Sequence, residues 1–267
     1  MQIFHPALCA TLVALHFLAT PATADDLPPG MTAAGLRSGW QTATGSHMSA
    51  LHVQLAGGWK TYWRAPGEAG VPPQFDWAGS DNVASVAVHW PRPQVFETNG
   101  MRTVGYRHEM ILPLEITPAD PTRPVRLSAS VEMGICDHIC VPVLLDLAAE
   151  ITGPGAPDPI IAAALKARPE PHPGAARCTL APIADGMHVR AEIDLPPMGV
   201  GEVALIELRG RPVWVSDPVT HRRGGRLISE ADMVPDSASP FAVNPDDLVI
   251  TILGEGGQAI EISGCPG

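Results

Sequence analysis

Two cysteines separated by three residues, Cys136 and Cys140, stand in the stretch Val131-Glu132-Met133-Gly134-Ile135-Cys136-Asp137-His138-Ile139-Cys140-Val141-Pro142. A pair of thiols this close can close an inert disulfide, exchange electrons with another dithiol, or bind a soft metal with further ligands. Upstream, Val125, Leu127, Ala129, Val131, Met133 and Ile135 share one parity, with Arg126, Ser128, Ser130, Glu132 and Gly134 on the other. Downstream, Ile139, Val141, Val143, Leu145, Leu147, Ala149 and Ile151 alternate in the same way. A period of two marks half-buried strands. The stretch is therefore expected to be a β-hairpin with Asp137 and His138 at its tip.

Parity also orients the sulfurs. Cys136 belongs to the polar face of its strand and Cys140 is out of phase with the apolar set of the next. Both thiols are expected to point away from the core, on one side of the hairpin. Opposed residues of an antiparallel pair lie about 4.5–5.5 Å apart between Cα atoms, within the reach of a disulfide. Closing so short a loop stabilises little, because the entropic gain grows with loop length. That favours a working dithiol over a staple.

The elements that hold this pair belong to a chain of 267 residues with 26 glycines and 29 prolines, suited to a β-rich fold with many turns. The formal net charge of −11 makes nucleic acid and anionic membrane poor partners. An apolar run from Ala7 to Leu18, followed by Ala22-Thr23-Ala24, reads as a signal peptide over residues 1–24, cleaved near Ala24, although its start carries only His5 and no Lys or Arg. Past Ala24 no apolar run is long enough to span a bilayer, so the mature protein is expected to be exported, periplasmic and not membrane-embedded. Loss of Cys9 with the leader leaves four cysteines, an even number in an oxidising compartment. Cys178 and Cys265 are then expected to form a structural disulfide, contributing about 4–5 kcal/mol by the entropic estimate.

Residues 25–152 read as a first β-sandwich. It comprises a polar leader over 25–45, a strand from His47 to Ala56, a Gly57-Gly58 turn into Trp59-Lys60-Thr61-Tyr62-Trp63-Arg64, and a strand from Asn82 to Trp90. A long irregular segment follows from Pro91 to Gly105, then a strand from Tyr106 to Ile116 and the cysteine hairpin. Residues 153–176 read as a proline-rich linker in which Asp158-Pro159 starts a short helix that Pro169 ends. Residues 177–267 read as a second sandwich. The expected fold is all-β, two immunoglobulin-like antiparallel sandwiches. Within the first, Phe96-Glu97-Thr98-Asn99-Gly100-Met101 is long, glycine-containing and expected to be unpaired, a candidate shield for a reactive thiol pair.

Gly58-Trp59-Lys60-Thr61-Tyr62-Trp63-Arg64, Gly105-Tyr106-Arg107 leading to Leu112-Pro113-Leu114, and Cys136 to Cys140 followed by Val141-Pro142 resemble the N-terminal periplasmic domain of the DsbD thiol:disulfide interchange proteins, most closely the ScsB-like branch. The resemblance covers about residues 45–150 and implies an immunoglobulin-like sandwich with Cys136 and Cys140 as its redox pair. It implies further that Tyr62 and Tyr106 lie near that pair, that a cap including Phe96 and Asn99 covers it, and that Cys140 makes the mixed disulfide. Asp137 and His138 flank the sulfurs, where a protonated His138 would favour a thiolate and Asp137 oppose it. No cofactor is implied. The chain would act with partners as a protein-disulfide reductase component. Its electron donor would be a thioredoxin-like protein or a CcdA-type membrane reductase, and its acceptor a periplasmic thiol-disulfide protein. Full members of the family continue into membrane and thioredoxin-like domains, whereas this sequence stops at Gly267, so the donor is expected to be a separate protein.

Two rival readings stay open. Cys136, His138 and Cys140 offer soft ligands and an imidazole for Cu(I) or zinc, with Met101, Met110 and Met133 in the same domain. A non-catalytic interaction sandwich would need the cysteine pair to be inert. The basic cluster His221-Arg222-Arg223-Gly224-Gly225-Arg226 reads as a solvated hairpin turn or a docking patch.

Overall fold

The computed structural model describes residues 27–98, 100–173 and 176–265. The signal-peptide reading of residues 1–24 and the cap residue Asn99 lie outside the described residues. Ten strands come first: β1 (Met31–Gln41), β2 (His47–Leu55), β3 (Lys60–Tyr62), β4 (Gln74–Asp76), β5 (Val83–Val88), β6 (Gln94–Thr98), β7 (Met101–Arg107), β8 (Glu109–Pro118), β9 (Val125–Cys136) and β10 (Cys140–Ile151). Helix α1 (Pro159–Lys166) follows. Then come β11 (Glu170–Pro171), β12 (Ala176–Pro182), β13 (Met187–Ile193), β14 (Val203–Leu208), β15 (Trp214–Val215), β16 (Val219–Arg223), β17 (Arg226–Val234), β18 (Leu248–Leu253) and β19 (Ala259–Ser263).

The first sandwich packs a sheet ordered β1-β2-β8-β5 against one ordered β10-β9-β3-β7-β6, with β4 also on β9. Its core follows from alternation. Leu51, Val53 and Leu55 of β2 and Met110, Leu112, Leu114 and Ile116 of β8 meet Val125 to Ile135 of β9, taken every second residue. Two expectations are corrected. The polar leader contains an eleven-residue strand, β1, paired along β2 from Met31 opposite Leu55 to Gln41 opposite His47. The segment Pro91 to Gly105 is not irregular, nor is Phe96–Met101 unpaired: β6 and β7 form a hairpin in which Phe96 opposes Thr103 and Thr98 opposes Met101.

Helix α1 starts where a cap and a proline coincide. The Asp158 carboxylate accepts from the Ile160 and Ile161 amides at 2.8 and 3.3 Å and from Arg37 Nη2 at 2.7 Å, satisfying amides that a helix start leaves open. Ile161 and Ala164 are buried against Met48, Ala50 and Ile111, so the helix covers the outer face of the β2–β8 sheet. The segment after it adds β11 to the second sandwich, parallel to β19; among the described residues every other strand pairing is antiparallel.

The second sandwich packs β11-β19-β18-β14 against β12-β13-β17-β15, with β16 also on β17. All six residues of β18, Leu-Val-Ile-Thr-Ile-Leu, are buried. In β14, Ala204 and Ile206 face the second core, while Val203 and Leu205 join the first core together with Leu253 and Ala259. One sheet thus buries both faces, which is why its sequence lacks alternation. Polar ties reinforce the junction: Arg64 Nε lies 2.9 Å from Glu207 and Arg64 Nη2 2.5 Å from Glu261, and Arg102 lies 3.2 Å from Asp217. The basic stretch His221 to Arg226 spans the β16–β17 turn, where Arg222 is held by Glu202 and Arg226 by Asp194.

Candidate functional site

The outer face of the β10-β9-β3-β7-β6 sheet carries the cysteine pair. Cys136 ends β9 and Cys140 begins β10, directly opposed. Their sulfurs are bonded, with Cα atoms 4.1 Å apart. The tip is Asp137, His138 and Ile139, closed by the Asp137 amide donating to the Ile139 carbonyl at 3.0 Å. Ile139, expected among the inward set of its strand, is 65% exposed because pairing begins only at Cys140.

Both sulfurs leave the core on the side parity assigns, yet only one meets solvent. Cys136 is 1% exposed, whereas Cys140 is exposed. The cover over Cys136 is Tyr62. Lys60 of β3 opposes Cys136 and Thr61 opposes Ile135, so Lys60 and Tyr62 rise on the sulfur side. The Tyr62 hydroxyl donates to Cys136 Sγ at 2.9 Å and lies 3.7 Å from Cys140 Sγ. Room for its ring comes from Gly134, where a Cβ would lie 3.3 Å from the ring. On the other side the ring is closed in by Gly70, where a Cβ would lie 2.9 Å from it. Burial raises the Tyr62 pKa, so the phenol stays protonated at neutral pH and remains a donor.

Tyr106, the other tyrosine expected near the pair, is not there. It opposes Thr61, on the core side of the sheet, and its hydroxyl donates to the Pro91 carbonyl at 2.8 Å. Burial holds its pKa well above the ordinary value, with Arg64 working against the rise. Phe96 does sit on the sulfur face of the sheet. Its ring lies 4.6 Å from the Arg107 guanidinium and 5.4 Å from Lys60 Nζ. His138 is 97% exposed, its ring 3.9 Å from the Asp137 carboxylate. Its side chain stands in water. Among the described residues no cluster of three or more His, Cys, Asp or Glu is arranged to hold a metal ion. Asp137 packs over the Gly57-Gly58 turn, where a Cβ on Gly58 would meet its carboxylate at 3.2 Å.

Beside Cys140 lies a groove of about 410 Å3 lined by Val71, Pro72, Gln74, Gly134, Pro142 and Leu144. It ends at the exposed sulfur and is bounded by the edge strand β10. The second disulfide is far different in setting: Cys178 and Cys265, 87 positions apart with Cα atoms 5.3 Å apart, are bonded in the second core.

Sequence reasoning missed Lys60. It is 6% exposed, and its Nζ donates to Thr103 Oγ1 at 2.9 Å. The signal was present, since Lys60 and Tyr62 share a parity opposite to Thr61 and Trp63. It also missed Arg64, whose carboxylate partners lie more than 140 positions away.

Residues 33–149 match the family model described as thiol:disulfide interchange protein DsbD, N-terminal. Among solved structures, the N-terminal periplasmic domain of ScsB from Proteus mirabilis matches with a TM-score of 0.62 at 22% identity, over 85% of this chain and 90% of that one. A search of curated proteins found no match. No helix among the described residues is long and apolar enough to cross a membrane. The part of the chain that matches the DsbD N-terminal family model is the sandwich that bears the cysteine hairpin.

Proposed function

We propose that this protein is a periplasmic thiol–disulfide exchange module that relays electrons through Cys136 and Cys140. The observation that carries the reading is the asymmetry of one bond: a disulfide with one sulfur exposed and the other buried under a phenol hydroxyl. In this reading residues 25–152 form the redox sandwich, 153–176 the linker and 177–267 a second sandwich that braces it.

The chemistry follows from access. A donor thiolate can reach only Cys140 Sγ. Its attack forms a bond between the donor sulfur and Cys140, breaks the Cys136–Cys140 bond, and leaves the electron pair on Cys136 Sγ. Tyr62 donates its hydrogen bond to that sulfur, which favours the thiolate as leaving group. The donor's second thiol then frees Cys140, and two electrons have entered the domain. Delivery runs the other way: Cys140 attacks an acceptor disulfide, and Cys136 attacks Cys140 Sγ to release the reduced acceptor.

The donor is a thioredoxin-like protein or a CcdA-type membrane reductase, and the acceptor is a periplasmic thiol-disulfide protein. The β6–β7 hairpin with Phe96 is the element placed to act as a cap, on the same sheet face as the sulfurs. The test is trapping. Cys136→Ser should accumulate a mixed disulfide through Cys140 in periplasmic extract, and Cys140→Ser should not. A Cys136→Ser protein that stays unmodified in the presence of reduced and oxidised thioredoxin-fold proteins would overturn the reading.

A further inference from the structure

The segment between β3 and β4, Trp63 to Pro73, forms no strand, yet it touches both the dithiol site and the second sandwich. On the site side a Cβ at Gly70 would lie 2.9 Å from the Tyr62 ring, and one at Gly134 3.2 Å from Val71 Cβ. Gly70 and Val71 thus wall in the phenol that covers Cys136. On the other side Arg64 Nε lies 2.9 Å from Glu207 and Arg64 Nη2 2.5 Å from Glu261. The Asp217 amide donates to the Glu68 carboxylate at 3.0 Å. Within its own sandwich the segment is held by the Val104 amide, which donates to the Pro66 carbonyl at 2.9 Å. Burial works against the Arg64 charge, but Glu207 and Glu261 outweigh it and the net pKa shift is upward. Removing either side of that pairing leaves a largely buried charge uncompensated.

We propose that the second sandwich tunes the Cys136–Cys140 pair through this segment: Glu207, Glu261 and the Asp217 amide hold Arg64 and Glu68, which keep Gly70 and Val71 against Tyr62 and its hydroxyl on Cys136 Sγ. The inference rests on the exchange reading and gives the second sandwich a part in it. Arg64 and Glu68 are positioning residues that act through Tyr62. Attack on Cys140 by a partner thiolate breaks the Cys136–Cys140 bond and leaves the electron pair on Cys136 Sγ. A donor already fixed at that sulfur stabilises the charge as it forms, without reorganisation. A loosened segment lets the ring leave, so the thiolate loses its donor and Cys136 opens to solvent.

The same residues could act on the sulfur through their charges alone, and the two mechanisms differ in sign. Removing a cation raises a thiol pKa by its field, and removing two carboxylates lowers it. Loosening the tie from either side raises it. The charged groups around the pair are common to every variant: Lys60 opposite Cys136, Arg107 at the Phe96 ring, Asp137 and His138 at the tip, and Glu132 on β9.

The experiment measures the thiol itself, so that it does not depend on any partner. In Cys140→Ser, with the Cys178–Cys265 bond intact, iodoacetamide modification of Cys136 is followed by peptide mass spectrometry against pH. The midpoint gives the Cys136 pKa and the plateau rate its accessibility. Arg64→Met should raise the midpoint by about half a unit and speed the plateau several-fold. Glu207→Gln combined with Glu261→Gln should move both in the same direction. Added to Tyr62→Phe, neither change should move the midpoint further. Glu68→Ala should give a smaller shift of the same sign, and Glu68→Gln, which keeps the oxygen acceptor, should restore it. Should Arg64→Met fail to fold, the variants at Glu207, Glu261 and Glu68 carry the test. Midpoint shifts of opposite sign from the two sides of the tie, or equal shifts with and without the Tyr62 hydroxyl, overturn the proposal. So does a midpoint that no junction variant moves while the melting temperature falls, since the ties would then serve stability alone. The expected shifts in a protein that forms no mixed disulfide would instead leave the coupling standing and sink the exchange reading.

Discussion

The two disulfides of this chain place the same bond in opposite settings. Cys136–Cys140 joins residues four positions apart at a hairpin tip, with one sulfur exposed. Cys178–Cys265 joins residues 87 positions apart inside an apolar core, and both its sulfurs are buried. The short bridge removes almost no freedom from the unfolded chain, because its strands are already paired by the ladder that continues to Val125 and Ile151. The long one constrains most of a sandwich. Place and loop length govern reactivity and constraint, and on the proposed reading the first pair serves exchange and the second constraint.

The sharpest break of this comparison is to delete each bridge in turn. Cys140→Ala should abolish exchange with a dithiol partner while leaving the melting temperature within a few degrees. Cys178→Ala should spare exchange and lower stability by about 4 kcal/mol, measured by denaturant unfolding. A variant pattern in the reverse order would exchange the two assignments. Next in size is Tyr62→Phe, which removes the donor to Cys136 and should slow exchange roughly ten-fold, as expected for losing one hydrogen bond to a charged sulfur. The same change should leave the rate of reduction of Cys178–Cys265 in denaturant untouched. A smaller effect separates the sulfurs of the reduced domain: at neutral pH iodoacetamide should modify Cys140 several-fold faster than Cys136, read by mass spectrometry.

The smallest effect concerns acid. Hydrogen bonds from Ser46 and then His89 lower the Glu115 pKa, and those from Arg222 lower that of Glu202. At Asp158 burial pushes the pKa up, but the bonds from Arg37, Ile160 and Ile161 outweigh it and the net shift is downward. Carboxylates with depressed folded values contribute stability that is complete above their ordinary pKa, about 4, and lost as pH falls through the depressed value. Melting temperature should therefore hold from pH 7 to about 5 and fall below 4. The fall should be equal with Cys136–Cys140 open or closed, because none of the three carboxylates touches that bridge.

Much of this was legible in the sequence where alternation was clean. Leu51 to Leu55, Met110 to Ile116 and Val125 to Ile135 announce their inward faces, and Asp158-Pro159 announces the helix start. β1 hid because Ala33, Ala34, Gly35 and Ser38 give little contrast between its faces. The β6–β7 hairpin hid behind Pro91 and Pro93, although Asn99-Gly100 is a strong hairpin dipeptide. At the site, parity told which way the sulfurs leave the sheet and nothing about what lies above them. The burial of Cys136 comes from Tyr62 on another strand, admitted by the absence of a side chain at Gly134. Tyr106 was assigned to the site through resemblance, whereas its ladder partner Thr61 fixes it on the core side. Arg64 was invisible as a tie because its partners, Glu207 and Glu261, belong to the other sandwich.

The sheet that contains β14 and β18 is apolar on both sides, one side turned to each core. A fragment cut in the stretch after Ile151 would strip Val203, Leu205, Leu253 and Ala259 from their neighbours and leave an oily seam facing water on each piece. Such halves should clump or cling to one another, and the intact chain should melt in one transition.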